Sequence, residues 1–89
     1  MIPEKGRNSD AIVCFSKLVA QNVGEVNWHK TQRLARRDDG SLDFHVTVSG
    51  LNEISWWILG RGDQAEAIQP PELRRLVAER AKRMAALYG

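Results

Sequence analysis

The sequence has a single cysteine, few aromatic residues and no long apolar run, and each shortage excludes a class of protein. Cys14 has no second cysteine to pair with, so the chain is not a disulfide-linked scaffold and a reducing compartment is expected. No segment is apolar for long enough to cross a membrane, and the start of the chain does not have the pattern of a signal peptide. We therefore expect a cytoplasmic protein with no membrane partner.

Recognisable catalytic and metal-binding sets are also missing. His29 and His45, together with the lone cysteine, have no spacing typical of a metal site. The Gly60-Arg61-Gly62 turn lacks the preceding strand and the following Lys-Ser of a phosphate-binding loop. Because neither a Ser/His/Asp set nor a pair of carboxylates appears, we expect a protein that is not an enzyme and uses no cofactor.

The length and charge of the chain indicate one small domain. With 89 residues it can bury a single core, and its formal net charge of +2 does not by itself indicate a nucleic-acid binder. Residues 1–9 mix proline, glycine and charge with almost nothing to bury, which is typical of a flexible tail or linker stub. We expect the domain to occupy residues 10–89.

Short strands and helices alternate along those residues. The apolar periodicity, the Asp39-Gly40 hairpin signal and the prolines predict strands at 11–15, 31–37, 42–48 and 65–68, and helices at 16–23, 52–59 and from Pro71 onwards. The resulting βαββαβ order with an additional C-terminal helix predicts an α+β, ferredoxin-like sandwich. In that fold the first and third strands are central, which suits the apolar run at 11–15.

The two helices in the second half carry informative stripes. Trp57 falls on one stripe with Leu51, Ile54 and Ile58, so we expect Trp57 in the core and its neighbour Trp56 at the surface. The apolar stripe of the last helix includes Leu73, Leu76, Val77, Met84, Leu87 and Tyr88. Arg80 interrupts that stripe, which indicates either a stem laid across the core with a paired head or a contact with a partner.

A basic stripe precedes the hairpin. Lys30, Arg33, Arg36 and Arg37 follow one another with no intervening acid, and on a strand Arg33 and Arg37 point to one side and Arg36 to the other. Such a stripe can hold phosphates, whereas the alternative is a solvated edge strand whose charge prevents edge-to-edge pairing. Further basic residues on the last helix have the ordinary interpretation of a solvated outer face.

The quoted segments together resemble a known family. The ordered series W-H-K-T-Q, D-D-G-S, E-I-S-W-W-I-L-G, Ile68-Gln69-Pro70, P-E-L-R and a final Leu87-Tyr88 resembles the C-terminal extension, or WCX domain, of bacterial WYL-domain transcriptional regulators. The resemblance runs from about Asp10 to Tyr88. Arg61 lies where the family usually has an aromatic or apolar residue.

The resemblance implies a non-catalytic module of a larger regulator. It implies WYL and winged-helix domains in the parent chain, a role in dimerisation, and help in sensing an effector that is a nucleic acid or nucleotide. The candidate effector contacts are Lys30, Arg33, Arg36, Arg37 and Arg61, and the candidate interface residues are Ile12, Cys14, Trp56 and Arg80.

The first strand is the reason for expecting a homodimer. Ile12 and Cys14 alternate with an equally apolar set, so one set must lie on the sheet face that the crossover helices leave open. Either the last helix or a second copy would cover that face, and we favour the second copy. The alternative function is a free-standing single-stranded nucleic-acid binder, for which Phe15 and Phe44 are the only strand aromatics available for base stacking. A small ferredoxin-like enzyme is the third class, and it lacks a catalytic set.

Overall fold

Four strands and three α-helices alternate in the computed structural model, which describes residues 8–25 and 27–89. The elements are β1 (Ser9–Phe15), α1 (Lys17–Gly24), β2 (Arg33–Arg36), β3 (Leu42–Val48), α2 (Asn52–Leu59), β4 (Ala65–Gln69) and α3 (Pro71–Ala86), with a 3-10 turn (Gly62–Gln64) before β4. The expected α+β class is therefore confirmed. Of the predicted tail, residues 1–7 lie outside the described part, whereas Ser9 already belongs to β1 and pairs with Val48.

The strands form one sheet in the order β2-β3-β1-β4, with every neighbouring pair antiparallel. The apolar strand β1 and the alternating strand β3 therefore occupy the centre, and the charged strand β2 lies at an edge. The central register places Val13 opposite Phe44 on β3 and opposite Ala67 on β4. Since side chains directly opposite each other share a face, this register assigns every strand residue to one of two sheet faces.

One sheet face carries the core. Its buried side chains come from alternate strand positions and from all three helices, namely Ala11, Val13, Phe15, Ala20, Val23, Leu42, Phe44, Val46, Val48, Ile54, Ile58, Ala67 and Leu73. The helices therefore lie together on that side of the sheet. Helix α3 packs beside β4 and α2, with Leu73 fully buried, so it does not cover the opposite face as one of the two sequence alternatives would require.

The opposite sheet face is uncovered within residues 8–25 and 27–89. We call it the open face and define it by the outward side chains of Asp10, Ile12, Cys14, Arg33, Ala35, Asp43, His45, Thr47 and Glu66. Each of these residues is partly or fully exposed to solvent. The alternation of buried and exposed positions along β3 is complete, because its inward residues meet the core and its outward residues meet water.

The β2–β3 hairpin has a three-residue loop rather than a two-residue turn. The Arg37 N–H donates to the Ser41 carbonyl at 2.9 Å, and between them Gly40 adopts a left-handed φ of +91°. A turn of this kind needs glycine at that position. The Asp39 carboxylate accepts hydrogen bonds from the backbone N–H and the hydroxyl of Ser41, at 2.9 and 2.6 Å, and these bonds lower the pKa of Asp39.

The ends of α1 and α2 use their residues in particular ways. Gly62 has a left-handed φ of +62°, whereas Gly60 ends α2 in the ordinary helical region, so the left-handed turn is at Gly62. Ser16 precedes α1, and its hydroxyl donates to the Gln64 side chain and does not cap the helix. Leu18 is 75% exposed because α1 packs Ala20 and Val23 against the sheet.

Candidate functional site

The open face is a polar and apolar mixture rather than a hydrophobic patch. Ile12 and Cys14 lie at its centre on β1, next to His45 and Asp43 on β3. At one end, a shallow depression of about 130 Å³ is lined by Asp10, Ile12, Thr31, Arg33, His45, Thr47 and Gln69. The described open face therefore offers hydrogen-bonding groups and the unpaired side chain of Arg33 around the small apolar centre of Ile12 and Cys14.

Arg37 is held by an acidic partner on this face. Its guanidinium makes two contacts with the Asp43 carboxylate, Nε to Oδ2 at 3.0 Å and Nη2 to Oδ1 at 2.9 Å. These contacts raise the pKa of Arg37. The Asp43 carboxylate takes the Nε donor and offsets the charge of Arg37, so Arg37 is a weaker anion contact than an arginine with no acid beside it.

Arg33 is the cation of the basic stripe that stays available on the open face. It lies opposite His45 across the β2–β3 ladder and makes no hydrogen bond or ion pair with any described residue. Nearby, the Thr31 hydroxyl donates to the Thr47 carbonyl at 3.2 Å and tethers the segment before β2 to β3. Lys30 is exposed in the turn just before that tether.

The remaining basic residues lie on the helix side. Arg36 pairs with inward-facing Leu42, and a Cβ placed on Gly24 would come within 3.5 Å of its guanidinium. Arg61 lies over the Trp57 ring, 5.7 Å from the ring centroid. The five predicted effector contacts therefore do not form one surface, because Arg36 and Arg61 are on the face opposite Arg33.

The four interface candidates are also divided between two surfaces. Ile12 and Cys14 are on the open face, where burial raises the pKa of the Cys14 thiol while the nearby Arg37 opposes that effect. Trp56 and Arg80 meet on the helix side, with the guanidinium carbon 4.2 Å from the indole centroid. Arg80 also donates to Ser55 and, at 3.1 Å, to the Asn52 side chain, so its head is paired within the chain.

An aromatic cluster beneath the sheet was only partly visible in the sequence. Trp57 packs against Phe15 and Phe44, with centroids 5.2 and 5.0 Å away, and stacks on Trp28 at 4.9 Å. Trp28 lies in an irregular segment with no periodicity, so no pattern assigned it to the core. The one signal in the sequence for placing Trp28 in the core was a tryptophan followed by polar residues just before a predicted strand.

The described open face has no Phe, Tyr or Trp ring for base stacking and no cluster of side chains that could hold a metal ion. Phe15 and Phe44 are fully buried under the helices, and no Phe, Tyr or Trp lies among the open-face residues. Across residues 8–25 and 27–89, no three His, Cys, Asp or Glu side chains form a group that could hold a metal ion. None of the helices in that part of the chain is long and apolar enough to cross a membrane.

Comparison with protein-family models gives a match over most of the chain. A family model described as the WCX domain matches residues 8–85, which includes every strand and nearly all of α3. No curated protein matches the sequence.

Proposed function

This chain belongs to the WCX domain family, and from that premise we propose that it is the non-catalytic C-terminal module of a WYL-family transcriptional regulator. In this proposal the parent chain also carries a WYL domain and a winged-helix DNA-binding domain. The module serves assembly of the regulator into a homodimer and contributes to effector sensing. A regulator of this kind acts on DNA, so the proposed location is the bacterial cytoplasm.

We assign the fold to the ferredoxin-like class as part of this proposal. The support is the βαββαβ element order together with the strand order β2-β3-β1-β4, in which each crossover helix joins strands that are not neighbours. Helix α3 is then an addition after β4 that packs beside α2.

The observation that carries the assembly role is the open face. Two apolar side chains, Ile12 and Cys14, lie in the middle of a sheet face with no helix of the described chain over it. A second copy related by two-fold symmetry would place the same face on both sides of the contact, which is the commonest form of homodimer.

The dimensions of the face predict a weak dimer. Its central strands are 7 residues long, and four strands at about 4.8 Å spacing and roughly 3.3 Å per residue give a face of roughly 400 Å² in projection. A stable specific interface buries about 800 Å² on each partner. The module should therefore associate at micromolar to high micromolar concentration, and the other domains of the parent chain would supply the remaining contact.

Sedimentation velocity over a range from low to high micromolar concentration tests the dimer. The wild-type chain should move from monomer to dimer, and Ile12→Glu should stay monomeric because two buried carboxylates would face each other. Leu18→Glu is the matched control, since Leu18 is an apolar residue 75% exposed on the helix side. Circular dichroism should show that both variants are folded.

A second readout needs no substitution. Cys14 lies on the proposed interface and is partly exposed, so its alkylation rate should fall as protein concentration rises. A wild-type chain that stays monomeric at every concentration would contradict the assignment of the open face as the dimer interface. So would a dimer that Leu18→Glu dissociates and Ile12→Glu does not.

Effector sensing rests on the free cation of the same face. Arg33 has no partner among the described residues, and the His45 side chain lines the same depression beside it. Guanidinium donors suit a phosphate group. We therefore propose a phosphate-bearing effector that contacts Arg33, with Lys30 as an outer contact.

The alternative of a free-standing single-stranded nucleic-acid binder has less support. Sequence-tolerant binding of single strands relies on bases stacking on aromatic side chains. Both strand aromatics are buried on the helix side, so an effector on the open face would be held by its phosphates rather than by its bases.

A further inference from the structure

A groove on the helix side lies between α2 and the second half of α3. Its volume is about 730 Å³, and its walls include Trp56, Leu59, Arg80, Arg83, Met84 and Leu87. The apolar side chains in it are unusually accessible for a small domain, with Trp56 61%, Met84 43% and Leu87 78% exposed. The groove is separate from the open face, because all three helices pack on the other side of the sheet.

The two helices that line the groove differ in length. Helix α3 has 16 residues and α2 has 8, which correspond to about 24 Å and about 12 Å. The first half of α3 buries Leu73 and packs Val77 against the core, whereas its groove side chains lie in its second half and just after it. Past Arg80 the apolar stripe continues with Met84 and Leu87, which stay exposed across the groove from α2.

The inner wall of the groove is held in place. The Arg80 guanidinium donates to Ser55 and Asn52 on α2 and lies flat against Trp56. Ser55 is fully buried, so these bonds tie the two helices together at one point and orient the indole ring. The groove is consequently a built surface rather than a set of loose side chains.

Among the described residues, the charged side chains that line the groove are positive. They are Arg80 and Arg83, and Arg83 makes no ion pair or hydrogen bond with any described residue. A second copy bound through the same groove would bring the same two arginines to the contact, and like charges across an interface are unfavourable. The charge therefore favours a partner that carries acids.

The shape distinguishes a helix from a small ligand. A small molecule binds where most of its surface can be enclosed, and the exposed walls of this groove leave one side open to water. Met84 and Leu87, four and seven residues after Arg80, line the groove on the α3 side, and Trp56 and Leu59 line it on the α2 side. Residues 80–87 span about two helical turns, so the lining suits the apolar face of a short helix.

We propose that this groove binds an acidic amphipathic α-helix that belongs to a partner protein. The apolar face of that helix would rest on Trp56, Met84 and Leu87, and a flanking carboxylate would pair with Arg83. Burying the three exposed apolar side chains drives the association, and the carboxylate–guanidinium pair selects an acidic partner over a basic one.

Two synthetic peptides test the proposal by fluorescence anisotropy at low ionic strength. Both have leucines at positions i, i+4 and i+7 of a helix, and one carries flanking glutamates where the other carries lysines. The acidic peptide should bind the wild-type chain, and its affinity should fall with added salt, whereas the basic peptide should bind at least roughly tenfold more weakly.

Two adjacent cations provide a matched pair of variants. Arg83→Glu should weaken binding of the acidic peptide by roughly tenfold, and Lys82→Glu, which makes the same charge change outside the groove, should have little effect. Met84→Glu should abolish binding without unfolding the chain, because Met84 is exposed.

Four results would overturn the proposal. Equal losses for Lys82→Glu and Arg83→Glu would indicate only general electrostatic attraction, and equal affinity for the two peptides would remove the charge selection. Binding of decanoate in the groove, together with no binding of the acidic peptide, would assign the groove to small amphiphiles. A dimer that Met84→Glu dissociates and Ile12→Glu does not would assign it to a second copy.

Discussion

Replacement of the two adjacent tryptophans of α2 should have very different costs. Trp57 contacts three aromatic rings, Phe15, Phe44 and Trp28, at centroid distances of 5.2, 5.0 and 4.9 Å. Trp56 is 61% exposed, and the guanidinium carbon of Arg80 lies 4.2 Å from its ring centroid in a cation–π contact. The same chemical change, Trp to Ala, therefore tests two environments one residue apart.

The expected free-energy losses follow from those contacts. Trp57→Ala leaves a cavity among packed rings and should cost about 3–5 kcal/mol. Trp56→Ala removes mainly a cation–π contact at an exposed site, worth about 0.5–1 kcal/mol. A domain of 89 residues has a total stability of about 4–13 kcal/mol at roughly 0.05–0.15 kcal/mol per residue, so Trp57→Ala removes more than about a fifth of that stability even at the upper limit.

Urea denaturation followed by far-ultraviolet circular dichroism measures the difference without relying on tryptophan emission. The shift of the midpoint for Trp57→Ala should be at least about three times that for Trp56→Ala, since both variants unfold with similar exposure of surface. Trp57→Phe keeps part of the ring packing and should fall between them, which preserves the test if Trp57→Ala does not fold. A larger loss for Trp56→Ala would show that the assigned helix register is wrong.

Two further outcomes are expected, one for the proposed effector site and one for the hairpin. Arg33→Glu should weaken binding of a short oligonucleotide and reduce by about one unit the slope of the logarithm of its binding constant against the logarithm of salt concentration. Arg75→Glu, on the exposed side of α3, is the control and should change little. Binding by Arg33→Glu that is unchanged across a salt series would contradict the site. The pKa of Asp39 is lowered by its bonds to Ser41, so the stability it contributes is present above its ordinary value of 3.8 and is lost as pH falls through the lower folded value. Below the ordinary pKa, the unfolding midpoint should therefore fall less steeply with decreasing pH for Asp39→Ala than for the wild-type chain. An identical pH dependence in the two proteins would refute this contribution.

Local patterns in the sequence determined most of the elements and the faces they present. The alternation along β3 is reproduced position by position, and the stripe in α2 correctly placed Trp57 inward and Trp56 outward. Pro71 begins α3 as predicted, because its fixed φ and missing N–H suit the first turn of a helix. In each case the deciding interaction is within one element, so neighbouring residues carry the information.

The functional surfaces depended on contacts between elements. The basic stripe before the hairpin contains no acid, and the strand periodicity already places Arg36 on the side opposite Arg33 and Arg37, yet Asp43 on the next strand pairs with Arg37. A run of one charge sign does not reveal acids that approach from another strand. Only the tertiary contacts show that Arg33 has no partner among the described residues while Arg37 has one.

The last helix illustrates the same limit for apolar residues. By sequence alone, the stripe that contains Leu73 and Leu87 determined that α3 has one apolar side, and that much is present in the structure. How much of that side is buried was decided by the tertiary structure, because the first half of α3 packs on the core whereas its second half faces α2 across an open groove. Leu73 is therefore fully buried while Leu87 is 78% exposed, since burial requires a second element at the right distance and a periodic pattern describes only one.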